Sequence, residues 1–156
     1  MKICNGKIIT PSGILEKGSV LITGDTITAI SEKNIEVADA VVIAAQGLYV
    51  SPGFIDIHVH GGGGHDFMDN SVEAFLAIAE THARYGTTAM WPTSLISNKE
   101  GMLQTIDTYE AAKDKNVNGA QFLGLHLEGP YFAMIQRGAQ EPRYIRNPNP
   151  EEYKEI

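Results

Sequence analysis

The sequence predicts an α/β protein in two parts: a small all-β segment over residues 1–50 and, over 51–156, the opening units of a parallel (β/α) barrel. Three observations predict it. The first 50 residues are short, β-branched apolar runs separated by turn residues. A Ser51-Pro52-Gly53 break follows, and beyond it strand-like runs alternate with helix-like ones, the pattern of parallel βαβ units. The composition, 43% hydrophobic and 20% charged over 156 residues, supplies enough apolar surface for a core and excludes a disordered chain.

Taken in order, residues 7–10 form the first apolar run, which ends at Pro11-Ser12-Gly13. Residues 19–23 and 26–30 flank Gly24-Asp25, a two-residue spacer that predicts a hairpin. Residues 40–44 and 48–50 complete the segment, and nothing in it carries chemistry. In residues 54–60 apolar and polar side chains alternate with the period of a strand, so Asp56, His58 and His60 share one face. The run Gly61-Gly62-Gly63-Gly64 then lets the backbone turn away tightly.

A helix is predicted over 71–85. Asn70 and Glu73 are spaced as a capping box, Val72, Phe75, Leu76, Ala79 and Ala83 form the apolar stripe, and Gly86 is the stop. Residues 87–91 read as a second strand. Ser97 and Glu100 offer another capping box, opening a helix with Met102, Leu103, Ile106 and Tyr109 on its apolar side. Residues 121–128 read as a third strand. Asn149, Pro150, Glu151 and Glu152 read as the cap and first turn of a further helix. A closed barrel takes eight units and about 250 residues, so three units predict the N-terminal part of a longer protein.

The formal charge of −7 argues against a nucleic acid or an anionic membrane as partner and leaves a small molecule. The single cysteine, Cys4, excludes an internal disulfide and suits a reducing compartment, so a cytoplasmic location is expected. The first residues lack the apolar core of a signal peptide, and no run approaches the roughly 18 apolar residues of a membrane span.

Two polar clusters carry chemistry. Imidazoles two residues apart on a strand, as in His58-Val59-His60, can close on one cation; the plainer reading is two histidines satisfied by backbone or water. His126 and Glu128 share a face at the end of the third strand, just before Gly129-Pro130. In a parallel barrel successive strand ends open onto the same face, so the two clusters can meet.

The stretch from Ser51 to Gly61, Ser-Pro-Gly-Phe-Ile-Asp-Ile-His-Val-His-Gly, resembles the signature of the amidohydrolase superfamily. Its continuation from Gly62 to Asp69, with Gly86-Thr87-Thr88, Pro92-Thr93, the stretch from Leu125 to Tyr131 and Gly138-Ala139-Gln140, resembles the N-acetylglucosamine-6-phosphate deacetylases in particular. The resemblance covers essentially the whole chain, and its most specific part is Leu127-Glu128-Gly129-Pro130.

The resemblance implies a small N-terminal β-sandwich segment followed by the first three βα units of an incomplete (β/α)8 barrel. It implies that Glu128 is a metal ligand and that His58 and His60 serve a second, neighbouring metal position where one exists. One or two divalent ions, zinc or iron, are therefore expected. It sets Gln140, with Gly138 and Ala139, beside the sugar; glutamine can hydrogen-bond there but cannot titrate. The implied reaction converts N-acetylglucosamine 6-phosphate to glucosamine 6-phosphate and acetate, in an enzyme that is a homodimer when intact.

The general acid–base aspartate and two further histidine ligands are expected beyond Ile156. This chain by itself is thus expected to be inactive, with no catalytic acid or base of its own. A cyclic-amide hydrolase is the nearest rival, but such enzymes use a modified lysine on the fourth strand, whereas here a glutamate ends the third. A non-catalytic chain that binds metal or sugar is the other alternative. His126 is expected to orient the site or pack inside the barrel, His65 to be a loop residue and His82 a helix-packing one. Arg137, Arg143 and Arg146 are either phosphate contacts or solvated charge.

Overall fold

Turns at Pro11-Ser12 and Gly24-Asp25 fold the start of the chain back on itself twice in the computed structural model, which describes residues 1–156. Strands β1 (Lys2–Thr10), β2 (Gly13–Thr23) and β3 (Thr26–Ser31) are antiparallel neighbours, and Gly24 takes the positive φ of 63° that the second turn requires. β4 (Val42–Ala44) and β5 (Tyr49–Val50) both pair parallel with β1. The strands lie in a single sheet, so the layer that would make a sandwich is not built from them. β1 and β2 begin earlier than their apolar runs predict. Lys2 is nearly buried, its ammonium donating to Asn34 Oδ1 at 3.1 Å and to Ile35 O at 3.0 Å, and so takes a ladder position that its side-chain type disguises.

These strands belong to a compact unit, Met1–Pro52; a second unit comprises Gly53–Ile156. The second unit opens with β6 (Phe54–Val59) and a tight ribbon of β7 (Gly61–Gly62) and β8 (His65–Asp66). α1 (Val72–Arg84), β9 (Thr87–Pro92), α2 (Lys99–Lys113) and β10 (Gln121–Phe122) follow, and α3 (Pro150–Tyr153) comes last. β6, β9 and β10 form a parallel sheet in the order β10-β9-β6, joined by the two helical crossovers that the alternating pattern predicts. No closed barrel is present in these residues.

Val59, Phe75, Ile78 and Met90 pack with Phe67 and Ala112 into one core between sheet and helices, and the Phe67 and Phe75 rings meet edge to face at 4.7 Å. Val59 therefore points into this core, and its neighbours in sequence, His58 and His60, point away from it.

Both helix starts lie one residue later than the capping boxes predict. Ser71, not Asn70, caps α1, accepting from Ala74 N–H; Asn70 is the left-handed residue that ends the short 3-10 helix Phe67–Asp69, and its side chain accepts from Thr105. Asn98, not Ser97, caps α2 by accepting from Gly101 N–H.

The third strand is regular only at Gln121–Phe122. Beyond it the chain still follows β9, with Leu123 N–H donating to Met90 O, His126 N–H to Pro92 O and Ser94 N–H to His126 O. Gly124 lies so close to the Trp91 indole that a Cβ would come within 2.9 Å of its Nε1, a close approach only glycine allows. α3 is a single turn, capped by Asn149 with Pro150 at its first position, as its residues predict.

Candidate metal centre

Thr93, at the end of β9, holds the end of β6 in place. Its N–H donates to Val59 O at 2.8 Å, its Oγ1 accepts from Val59 N–H at 3.1 Å, and it is fully buried. Its own carbonyl oxygen lies 3.2 Å from His60 Nδ1. A carbonyl can only accept, so this contact puts the proton on Nδ1 and leaves Nε2 of the neutral ring with a free lone pair. His60 Nε2 is thereby aimed at the same point as His58 Nε2, 3.2 Å away.

Glu128 reaches that point from the chain beyond β10. Its N–H donates to Ser94 Oγ at 3.1 Å, and its Oε1 accepts from Gln140 Nε2 at 2.8 Å. Its Oε2 lies 3.1 Å from both His58 Nε2 and His60 Nε2. Despite those distances neither imidazole makes an aligned hydrogen bond to Oε2, which is buried and without a partner. A buried carboxylate oxygen facing two ring nitrogens with no hydrogen bond between them is costly as it stands.

A cation removes that cost, and the spacing suits one. Donors bound at roughly 2.0–2.1 Å in a tetrahedral site lie roughly 3.3–3.4 Å apart. The three atoms here are 3.1–3.2 Å apart, so the triangle can close on one ion. His58, His60 and Glu128 are the group in this chain that could bind a metal, and two imidazoles with one carboxylate suit zinc and neighbouring transition metals.

The other predicted residues lie as follows. Gln140 is buried beside Glu128 with its amide turned to protein partners, while Gly138 and Ala139 are exposed. His126 is outside the triangle; its ring meets that of His58 edge-on at 4.9 Å and lines, with Ile57, Trp91 and Leu125, an open pocket of about 370 Å³. His82 Nε2 donates to Gly61 O at 3.1 Å, which ties the glycine turn to α1. A Cβ on Gly61 would stand 2.2 Å from His65 O, so the run serves close packing of the ribbon. His65 is paired with Asp69 on the surface.

Of the arginines, Arg137 donates to Gln140 O and Arg143 lies over the Tyr144 ring. Arg146 forms a half-buried ion pair with Glu152 and donates to Ser97 O, which ties the end of the chain to the start of α2. The Arg146 guanidinium, by hydrogen bonding, holds the Glu152 carboxyl below its ordinary range, and Tyr131 OH adds a hydrogen bond in the same sense. The parts played by Thr93 and Ser94 are not legible in the sequence, where Thr93 enters only through the resemblance and both are hydroxyls directly after a strand end.

Residues 49–156 match the Amidohydrolase family. The chain is 33% identical over 150 residues to an N-acetylglucosamine-6-phosphate deacetylase of Haemophilus influenzae, an alignment covering 96% of this chain and 39% of that protein. It is 31% identical over 127 residues to an N-acetylgalactosamine-6-phosphate deacetylase of Escherichia coli, covering 75% of this chain and 34% of that one. The crystal structure of the N-acetylglucosamine-6-phosphate deacetylase from Pasteurella multocida superposes with a TM-score of 0.87 at 32% identity, over 98% of this chain and 40% of that one. The chain thus spans about two fifths of the length of the H. influenzae and P. multocida proteins.

Proposed function

The chain belongs to the amidohydrolase family, and from that premise we propose that His58, His60 and Glu128 hold a divalent ion used to hydrolyse the amide of an N-acetylhexosamine 6-phosphate, N-acetylglucosamine 6-phosphate first among them. The observation that carries this reading is the meeting of His58 Nε2, His60 Nε2 and Glu128 Oε2 at 3.1–3.2 Å, with Oε2 buried and unbonded. One ion, zinc or iron by the donor set, accounts for all three ligands. A second ion would need donors other than these.

Amides resist hydrolysis because water is a poor nucleophile and the amine a poor leaving group. A divalent ion held by these three residues would lower the pKa of a bound water toward ~7 and polarise the acetyl carbonyl. The protein's part is to present the donors already arranged. His60 is oriented by Thr93 O, and Glu128 brings the negative charge and is held by Ser94 and Gln140. None of the three is free to carry a proton from water to the departing nitrogen. The resemblance assigns that role to an aspartate outside residues 1–156.

We infer further that β6, β9 and β10 are the first three strands of a (β/α)8 barrel, and that residues 1–50 are its N-terminal β-sandwich segment. The superposition on the P. multocida enzyme supports this reading. The whole enzyme would be a cytoplasmic homodimer. The named activities belong to relatives that extend well beyond the matched part, so the reaction is proposed for a polypeptide that includes the equivalent of that remainder.

The test is acetate release by the full-length polypeptide from N-acetylglucosamine 6-phosphate, with N-acetylgalactosamine 6-phosphate as the second arm because relatives act on each by name. Release is expected to require Zn²⁺ or Fe²⁺ and to be lost in Glu128→Gln. Undiminished release by the mutant would sink the assignment of Glu128. Release from the galactosamine substrate alone would move the proposal to that sugar.

A further inference from the structure

We infer that Gln140 is a positioning residue for the metal centre: it holds Glu128 in the orientation that offers Oε2 to the ion. The inference rests on the proposed metal site and deepens it. Gln140 is 9% exposed and comes from a loop, yet both ends of its amide are committed. Ile96 N–H, from the segment after β9, donates to the Gln140 side-chain oxygen at 3.2 Å. An N–H can only donate, so this contact sets which way the amide faces and leaves Nε2 to donate to Glu128 Oε1 at 2.8 Å. Ile96 is itself buried, at 6% exposure, so the anchor is rigid. At the back of the residue, Arg137 donates to Gln140 O at 3.2 Å, and Gln140 N–H donates to Arg137 O at 3.1 Å.

The chemistry of an amide suits this place better than that of any charged side chain. Glu128 must stay an anion to serve as a ligand. A lysine or arginine at 140 would form an ion pair with it and compete with the metal for its charge, whereas a carboxylate would repel it. A neutral donor satisfies Oε1 and leaves the charge for Oε2. With Oε1 held, rotation of the carboxylate about its last bond is restrained, and the oxygen facing the two imidazoles stays the same one. The resemblance sets Gln140 beside the sugar; in the structure its side chain bonds Glu128 and Ile96, and Gly138 and Ala139 are exposed.

The test is Co²⁺ binding by the full chain, read as the dissociation constant by chelator competition and as the visible spectrum of the bound ion, which reports coordination geometry. Wild type is expected to bind one Co²⁺. Gln140→Met keeps the volume and loses both hydrogen bonds. It is expected to weaken binding by about 10–100-fold, as loss of an orienting partner does, and to change the spectrum. Gln140→Asn keeps the amide but is one methylene too short to span Ile96 and Glu128, and it should show the same loss with the polar character retained. Gln140→His, which can donate from one ring nitrogen and accept at the other, should recover part of the affinity. Wild-type affinity and spectrum in whichever of the Met and Asn variants melts like wild type without metal would overturn the inference. A wild-type chain that takes up no Co²⁺ would remove the metal-centre reading, and this one with it.

Discussion

The two halves of the donor triangle are held by different means. The histidine half rides on backbone: Val59, between the two ligands, is locked to Thr93 in both directions, and His60 is oriented by a main-chain carbonyl. The carboxylate half lies where the third strand has lost its regular ladder, and side chains hold it, Ser94 at its amide and Gln140 at its free oxygen. A ligand on a ladder inherits the rigidity of the sheet and moves only if the sheet is damaged. A ligand on an irregular segment is held by bonds that can be removed one at a time. Stability and metal affinity should therefore respond together on one side of the triangle and separately on the other.

The largest effect tests the triangle itself. His60→Ala deletes a donor that the fold does not need, since beyond its contact with the neighbouring ligand His58 the ring bonds only Thr93 O. Co²⁺ affinity should drop by more than the roughly 10–100-fold that orienting partners are worth, with the melting temperature of the metal-free chain little changed. An affinity near wild type would remove the strand from the metal site and end the comparison.

A sharper contrast comes from neighbouring hydroxyls. Thr93→Val keeps the shape of a fully buried side chain but leaves Val59 N–H without an acceptor, at a cost of about 1–3 kcal/mol in stability. Metal affinity of the molecules that remain folded should be nearly unchanged, because the Thr93 carbonyl that orients His60 is main chain. Ser94→Ala removes the acceptor for Glu128 N–H and should cost only about 0.5–1.5 kcal/mol. Its Co²⁺ affinity should fall by about tenfold, the low end of orienting effects. Urea unfolding and Co²⁺ titration on both variants give the four numbers, and the opposite pattern would show that the strand half is the loosely held one.

The same division explains what was legible beforehand. His58 and His60 announce themselves because strand alternation is a local signal that sets them on one face regardless of distant contacts. The pairing of two strand-end clusters also follows from topology, which makes the meeting with Glu128 legible in outline. What could not be read is every contact made across the chain by a side chain of ordinary type. Asn70 looks like a cap, but Thr105, far away in sequence, claims its side chain and Ser71 caps α1 instead. Residues 121–128 keep a strand-like pattern, but the regular ladder ends at Phe122, and Gly124 lies close against the Trp91 indole. Gln140 was marked as a site residue by resemblance, whereas its partners, Ile96 N–H and Glu128 Oε1, are facts of three-dimensional placement.

The smallest effect concerns what lies behind the carboxylate half. Arg146 links Ser97 O, Tyr144 O and Glu152, and its N–H donates to Pro130 O at 3.3 Å, two residues from Glu128. The Arg146 hydrogen bond, ahead of that from Tyr131, lowers the Glu152 pKa beneath its ordinary value of 4.5. A carboxyl whose folded pKa is depressed stabilises the fold above its unfolded pKa, and that contribution is lost as pH falls through the folded value. At pH 7 the pair is intact, and below pH 4.5 it weakens progressively. The strand half has no such pair behind it, so acid should loosen residues 130–152 before it loosens β6 and β9. Hydrogen exchange at pH 7 and pH 4 is expected to show protection lost first at Arg146, with Val59 and Thr93 still protected. Glu152→Gln should show that local opening already at pH 7 and respond less to acid. Equal loss at both places in wild type would mean that the two halves of the site share one support.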